Sequence, residues 1–165
     1  MRRLILTILT ATLTLSITPT HADVTISSVT DGDTIKLSDG TSVRLLQIDT
    51  PELRGNECYA VEAQKALAKL LNRSGKISLI PDPDLDQVDR YGRILRYLFI
   101  GKRNINLEMV RIGAASPYFY RGERGRFSEK LMAAAESARS KRLGLWGACS
   151  RVVLNPNRAL ETHLD

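Results

Sequence analysis

Histidine is almost missing from this chain. Its 165 residues hold two, His21 and His163, at opposite ends. That argues against a histidine-based metal centre and against Ser-His-Asp chemistry. Cysteine is equally scarce. Cys58 and Cys149 are too few for a disulfide-dense miniprotein or a four-thiolate zinc site. The longest uncharged apolar stretch, residues 4–17, is shorter than the roughly 20 residues a spanning helix needs. Internal repeats and low-complexity linkers are absent. A hydrophobic fraction of 43% and a charged fraction of 25% fit a soluble globular protein, and the length suits one domain. What the chain has in quantity is carboxylate and guanidinium: 24 Lys and Arg against 18 Asp and Glu, a net charge of +6. A basic balance of this kind draws polyanions in a salt-dependent way.

Residues 1–22 read as a secretory signal peptide. Arg2 and Arg3 precede the uncharged run, and Thr20-His21-Ala22 resembles a small-residue cleavage site. The other reading is a retained anchor. Export sends the chain to the periplasm or the medium, where Cys58 and Cys149 mature under oxidising conditions. There they either form a disulfide closing most of the mature chain or stay as two free buried thiols. The domain is expected over residues 23–149, with a loose tail over 150–165.

Alternating apolar residues predict strands over residues 24–29, 34–37 and 42–48, with Asp39-Gly40 as a tight hairpin signal. Further strands are expected over 76–80 and 94–100. Helical spacing of Ala63, Leu67, Leu70 and Leu71 predicts a first helix, closed near Gly75. A short helix is expected over 106–112. A third, over 128–142, carries the narrow stripe Leu131, Ala134, Ala135 and Ala138. Five strands and three helices give an α+β fold, a five-stranded OB-type β-barrel with three packed α-helices, which commonly binds oligonucleotides or oligosaccharides.

Some residues look misplaced for structure alone. Arg44 interrupts the apolar run Val43-Arg44-Leu45-Leu46. It is either an edge residue reaching water or an arginine aimed into a cleft. Asp33 and Asp49 flank strands and could face one barrel mouth, with Glu52 close behind. They either cap local backbone amides or share a hard cation such as calcium. Arg93 follows Gly92 in a turn and points inward or into solvent. Tyr118 and Tyr120, alternating around Phe119, are half-buried core or a stacking platform for bases. Residues 121–142 carry a concentration of positive charge.

Taken in order, these segments resemble the staphylococcal nuclease (thermonuclease) family. The resemblance rests on Val29-Thr30-Asp31-Gly32-Asp33-Thr34, Val43 to Glu52, Asp89-Arg90-Tyr91-Gly92-Arg93, residues 106–113, Tyr118-Phe119-Tyr120 and Leu143-Gly144-Leu145-Trp146. It implies a Ca2+-dependent phosphodiesterase acting on DNA and RNA and leaving 3′-phosphate ends. It also implies roles. Asp33 and Asp49 would ligate calcium by carboxylate and Thr50 by its carbonyl, with Asp31 outside them. Glu52 would orient or deprotonate the attacking water. Arg44 and Arg93 would hold the phosphate. Tyr91, Tyr118 and Tyr120 would line the nucleotide pocket, and Arg90 stands where the family often has lysine. The expected partner is single-stranded or unpaired nucleic acid, bound by a monomer. The alternatives are a non-catalytic OB-fold module that binds single strands, and an oligosaccharide-binding protein with structural calcium. The chain departs from the family between Leu53 and Ala60, where a short segment with Cys58 replaces a lysine-rich loop. It departs again in the acidic stretch from Pro81 to Asp89.

Overall fold

The structure is a computed structural model that describes residues 24–162. The expected signal peptide over residues 1–22 lies outside them, as do both histidines.

The chain opens with β1 (Ile26–Val29), β2 (Thr34–Leu37) and β3 (Ser42–Leu45). The Asp39-Gly40 turn between β2 and β3 forms as its sequence requires. Gly40 takes φ 88°, and the Asp39 carboxylate accepts the Thr41 amide at 2.8 Å. Next come β4 (Ile48–Asp49), α1 (Ala60–Leu71), β5 (Ile77–Ile80), β6 (Ile94–Ile100) and β7 (Arg103–Asn104). Then follow α2 (Ile105–Arg111), β8 (Ser116–Pro117), α3 (Ser128–Ser140) and the short α4 (Leu145–Ala148).

The main sheet runs β1-β2-β3-β6-β5, with β7 also on β6. Its pairs are antiparallel except β3 with β6. The five expected strands and three longer helices therefore form the OB-type α+β arrangement. Helix α2 starts where the Asn104 side chain accepts the Leu107 amide, satisfying one open helix donor. Ile35, Val43, Leu98, Leu67, Met109 and Leu131 meet in one buried core between sheet and helices. The small-residue stripe of α3 is buried at Leu131, Ala135 and Ala138.

Two expectations need correction. The strand foreseen over 42–48 is two strands, because Gln47 has φ 60° and turns the chain. Distant partners hold it there. Its side-chain amide donates to the Glu123 carbonyl at 2.9 Å, and its side-chain oxygen accepts from the Gly125 amide and the Tyr97 hydroxyl. The turn frees β4 to pair with β8. The second concerns the tail, expected to be loose. Leu160 is 8% exposed and Thr162 1%, and residues 154–162 lie against the domain. Apolar burial beside Trp146 and backbone hydrogen bonds outweigh the ordering cost there.

Candidate active site

The register of β2 and β3 builds the site. Thr34 pairs with Arg44, and Ile35 with Val43. Neighbouring residues on a strand point to opposite faces, so the second pair enters the core while the first faces the barrel mouth. Arg44 is anchored there. Its guanidinium donates to the Ile48 carbonyl at 2.7 Å and the Leu45 carbonyl at 3.2 Å. It also bridges two carboxylates, Asp33 at 2.8 Å and Asp49 at 2.6 Å. Its side chain is 12% exposed. The cleft reading of Arg44 is thus the geometry observed.

Asp33 stands just before β2 and Asp49 ends β4. Asp33 accepts the Thr34 hydroxyl at 2.9 Å and the Thr50 amide at 3.1 Å. Asp49 accepts the Leu160 amide at 2.7 Å. Burial raises the Asp33 carboxyl well above its ordinary pKa; Arg44 opposes this, while Asp31 and Asp49 add to it. Asp49 is also raised, first by burial, with Arg44 and the Leu160 amide pulling the other way. Burial alone would make Arg44 easier to deprotonate, but Asp33 and Asp49 overcome that and raise its pKa. Glu52 is solvent-exposed, yet its pKa is raised by partial burial and by the Asp31 and Asp49 charges. It belongs to the same negative field.

Two carboxylates against one guanidinium leave excess negative charge in a buried spot. The oxygens present suit a hard cation: the Asp33 and Asp49 carboxylates, with the Thr50 backbone tied to Asp33 through its amide. An ionised carboxylate offers about four acceptor positions, so the present donors leave both aspartates with capacity to spare. Two carboxylates are compatible with a hard divalent cation. Among the described residues, no cluster of three or more His, Cys, Asp or Glu side chains is spaced to hold a metal. Backbone or water oxygens would have to complete the shell.

Arg93 reaches the same mouth from the residue before β6, which the parallel β3–β6 pairing brings alongside β3. Its guanidinium meets Asp89 at 2.7 Å and the Thr34 hydroxyl at 3.3 Å. Thr34 thus touches both Asp33 and Arg93. The Asp89 carboxyl resists a modest burial effect and is lowered by hydrogen bonds from Arg93 and the Tyr91 amide. Arg90 and Arg93 stack on the Tyr91 ring, 4.8 and 5.4 Å from its centre.

Arg44, Arg90, Tyr91, Arg93, Tyr118 and Tyr120, among others, line a cavity of about 520 Å³; Asp33, Asp49, Thr50 and Glu52 are not among its lining residues. That volume suits a small-molecule or nucleotide ligand. Tyr91 and Tyr120 are 67% and 51% exposed, so their rings are open to contact. Phe119 between the two later tyrosines is fully buried. Cys58 and Cys149 are joined, with Cα atoms 5.8 Å apart.

Three parts of the candidate site went unforeseen. Asp89 as the partner of Arg93 was available from its four-residue spacing across the Gly92 turn. Glu57, whose carboxylate accepts the Glu52 amide at 3.0 Å, and the Leu160 amide had no local signal.

A family model described as staphylococcal nuclease homologue matches residues 42–148. The chain belongs to this family. The SPbeta prophage-derived endonuclease YokF of Bacillus subtilis (strain 168) is 32% identical over 131 residues, covering 75% of this chain and 44% of that protein. Endonuclease YncB of the same organism is 30% identical over 131 residues, 75% of this chain and 61% of the relative. The thermonuclease of Staphylococcus hyicus is 32% identical over 125 residues, 72% of each. The chain spans about half the length of the first two relatives it matches.

Proposed function

We propose that this staphylococcal nuclease homologue is a calcium-dependent nuclease that hydrolyses phosphodiester bonds in DNA and RNA and leaves 3′-phosphate ends. The observation that carries the reading is Arg44 joined to both Asp33 and Asp49 at the mouth of a tyrosine-lined cavity. Relatives named endonuclease and thermonuclease support it.

Asp33, Asp49 and the Thr50 carbonyl would hold calcium. Bound there, the ion supplies Lewis-acid polarisation of a phosphoryl oxygen. Arg44 and Arg93 offer forked donors to the phosphate as negative charge grows on its oxygens. Glu52 takes a proton from water, and its raised pKa makes it a stronger base than an ordinary carboxylate. The water oxygen bonds to phosphorus while the bond to the 5′ oxygen breaks. The leaving 5′ oxygen gains a proton, and the phosphate stays on the 3′ side. Tyr91, Tyr118, Tyr120 and Arg90 hold the nucleotide. Stacking on open rings favours unpaired bases, because bases in a duplex are already stacked.

The Cys58–Cys149 bond supports export to the periplasm or medium, since such bonds persist in oxidising compartments. On this reading the protein acts as a monomer, with no membrane partner once the signal peptide is removed. The test is digestion of plasmid DNA and of RNA with calcium and with chelator. Cleavage in calcium alone supports the reading. Intact nucleic acid with retained binding would make the chain a single-strand-binding OB module instead.

A further inference from the structure

The C-terminal segment lies beyond the family match, which ends at residue 148. Three of its contacts converge on the site. The Leu160 amide donates to the Asp49 carboxylate across 111 residues of sequence. Thr162 grips Cys58 both ways: its hydroxyl donates to the Cys58 carbonyl at 2.9 Å, and its carbonyl accepts the Cys58 amide at 3.3 Å. The Thr162 hydroxyl also lies 3.3 Å from Glu57, the carboxylate that holds the Glu52 amide. Further back, the Pro156 carbonyl accepts the Phe119 amide at 2.6 Å, between the two pocket tyrosines. Residues 149–162 therefore form a loop fastened to Cys58 at both ends, by the disulfide at Cys149 and by hydrogen bonds at Thr162.

We propose that this strap is a positioning element for the metal site: the backbone N–H of Leu160 fixes the Asp49 carboxylate, and Thr162 with Glu57 fixes the segment bearing Glu52. The inference rests on the calcium reading above. The physical reason is preorganisation. A carboxylate held by opposing donors, Arg44 on one oxygen and Leu160 on the other, keeps one orientation whether or not a cation is present. Without the second donor, Asp49 can rotate about its side-chain bonds, and a cation has to order it on binding. Strap residues are then positioning residues, not catalytic ones, because none needs to touch substrate.

Two changes to the full chain remove the donor. Leu160→Pro deletes the N–H while keeping an apolar side chain. Ending the chain after Asn157 removes Leu160 and Thr162 together but leaves the disulfide. Leu154→Ala trims a partly buried strap side chain that takes no part in the Asp49, Cys58 or Glu57 hydrogen bonds, and serves as the stability control. Calcium chloride alone is titrated calorimetrically into each protein, and kcat and KM are measured on a short single-stranded oligonucleotide. Calcium affinity should fall about tenfold in Leu160→Pro and in the truncated chain, as expected for losing a hydrogen bond to a charged group. kcat at a fixed, subsaturating calcium concentration should fall with it while KM changes little. Leu154→Ala should lower the melting temperature and leave calcium affinity unchanged. Wild-type affinity in the truncated chain would overturn the proposal, even if Leu160→Pro failed to fold. So would a loss in Leu154→Ala as large as in the donor variants. Failure of the wild-type protein to bind calcium would overturn the parent reading instead, and this inference with it.

Discussion

Arg44 and Arg93 carry the same chemistry into one cavity, but the fold surrounds them differently. Arg44 sits mid-strand, 12% exposed, against two buried carboxylates and two backbone carbonyls. Arg93 sits at a turn, 27% exposed, with one carboxylate and a hydroxyl. The first is part of the framework as well as the site. The second belongs to the site and little else. A charge built into a strand cannot be removed without disturbing the groups it neutralises, whereas a charge on a turn can.

Replacing each arginine tests that contrast. Arg44→Ala should reduce kcat on a short oligonucleotide by at least about 10³ and also destabilise the fold by about 3–5 kcal/mol, since it strands Asp33 and Asp49 together. Arg93→Ala should reduce kcat by about 10²–10³, with a stability change under about 1 kcal/mol. Urea denaturation read beside the kinetics separates the two. Equal stability losses would erase the distinction.

The disulfide sharpens it further. Cys58–Cys149 fastens the start of the strap whose Leu160 amide reaches Asp49, a partner of Arg44. Reduction should lower the melting temperature, the chain-entropy model giving an upper value of about 4–5 kcal/mol for so long a loop. An unchanged melt would show that the bridge adds no stability.

The smallest effect belongs to the Arg93 side. Its partner Asp89 has a lowered pKa in the folded state. Such a group stabilises the fold above its unfolded pKa of about 3.9, and that stabilisation fades as pH falls through the lower folded value. Asp89→Asn should therefore cost less than about 1 kcal/mol at neutral pH. The gap from wild type should close below about pH 4. A gap that widens in acid would reverse the assignment.

Much of the candidate site's geometry was legible in the sequence because its residues stand at breaks in local pattern. Arg44 interrupts an apolar strand, and Asp33 follows an Asp-Gly turn. Asp49 precedes the Thr-Pro that ends a strand. Each break has a local cause that a pattern can register. Gln47 was not legible. Its left-handed turn depends on Glu123, Gly125 and Tyr97, all distant in sequence. The docking of residues 154–162 was illegible for a related reason: the segment has no period of its own and takes its order from contacts with Cys58, Phe119 and Asp49. The two cysteines hinted at a link between Cys149 and the loop after Glu52, but not at where the chain went next.

The account depends on the carboxylate cluster being a working metal site with Glu52 as its base. The most direct measurement is cleavage of a short single-stranded oligonucleotide across a calcium titration, for wild type and Glu52→Gln, with the product ends identified. The account predicts cleavage that rises and saturates with calcium and yields 3′-phosphate ends. It predicts a drop of about 10²–10⁴ in Glu52→Gln with substrate binding retained. Wild-type protein that binds the oligonucleotide but leaves it uncut at every calcium concentration would contradict it.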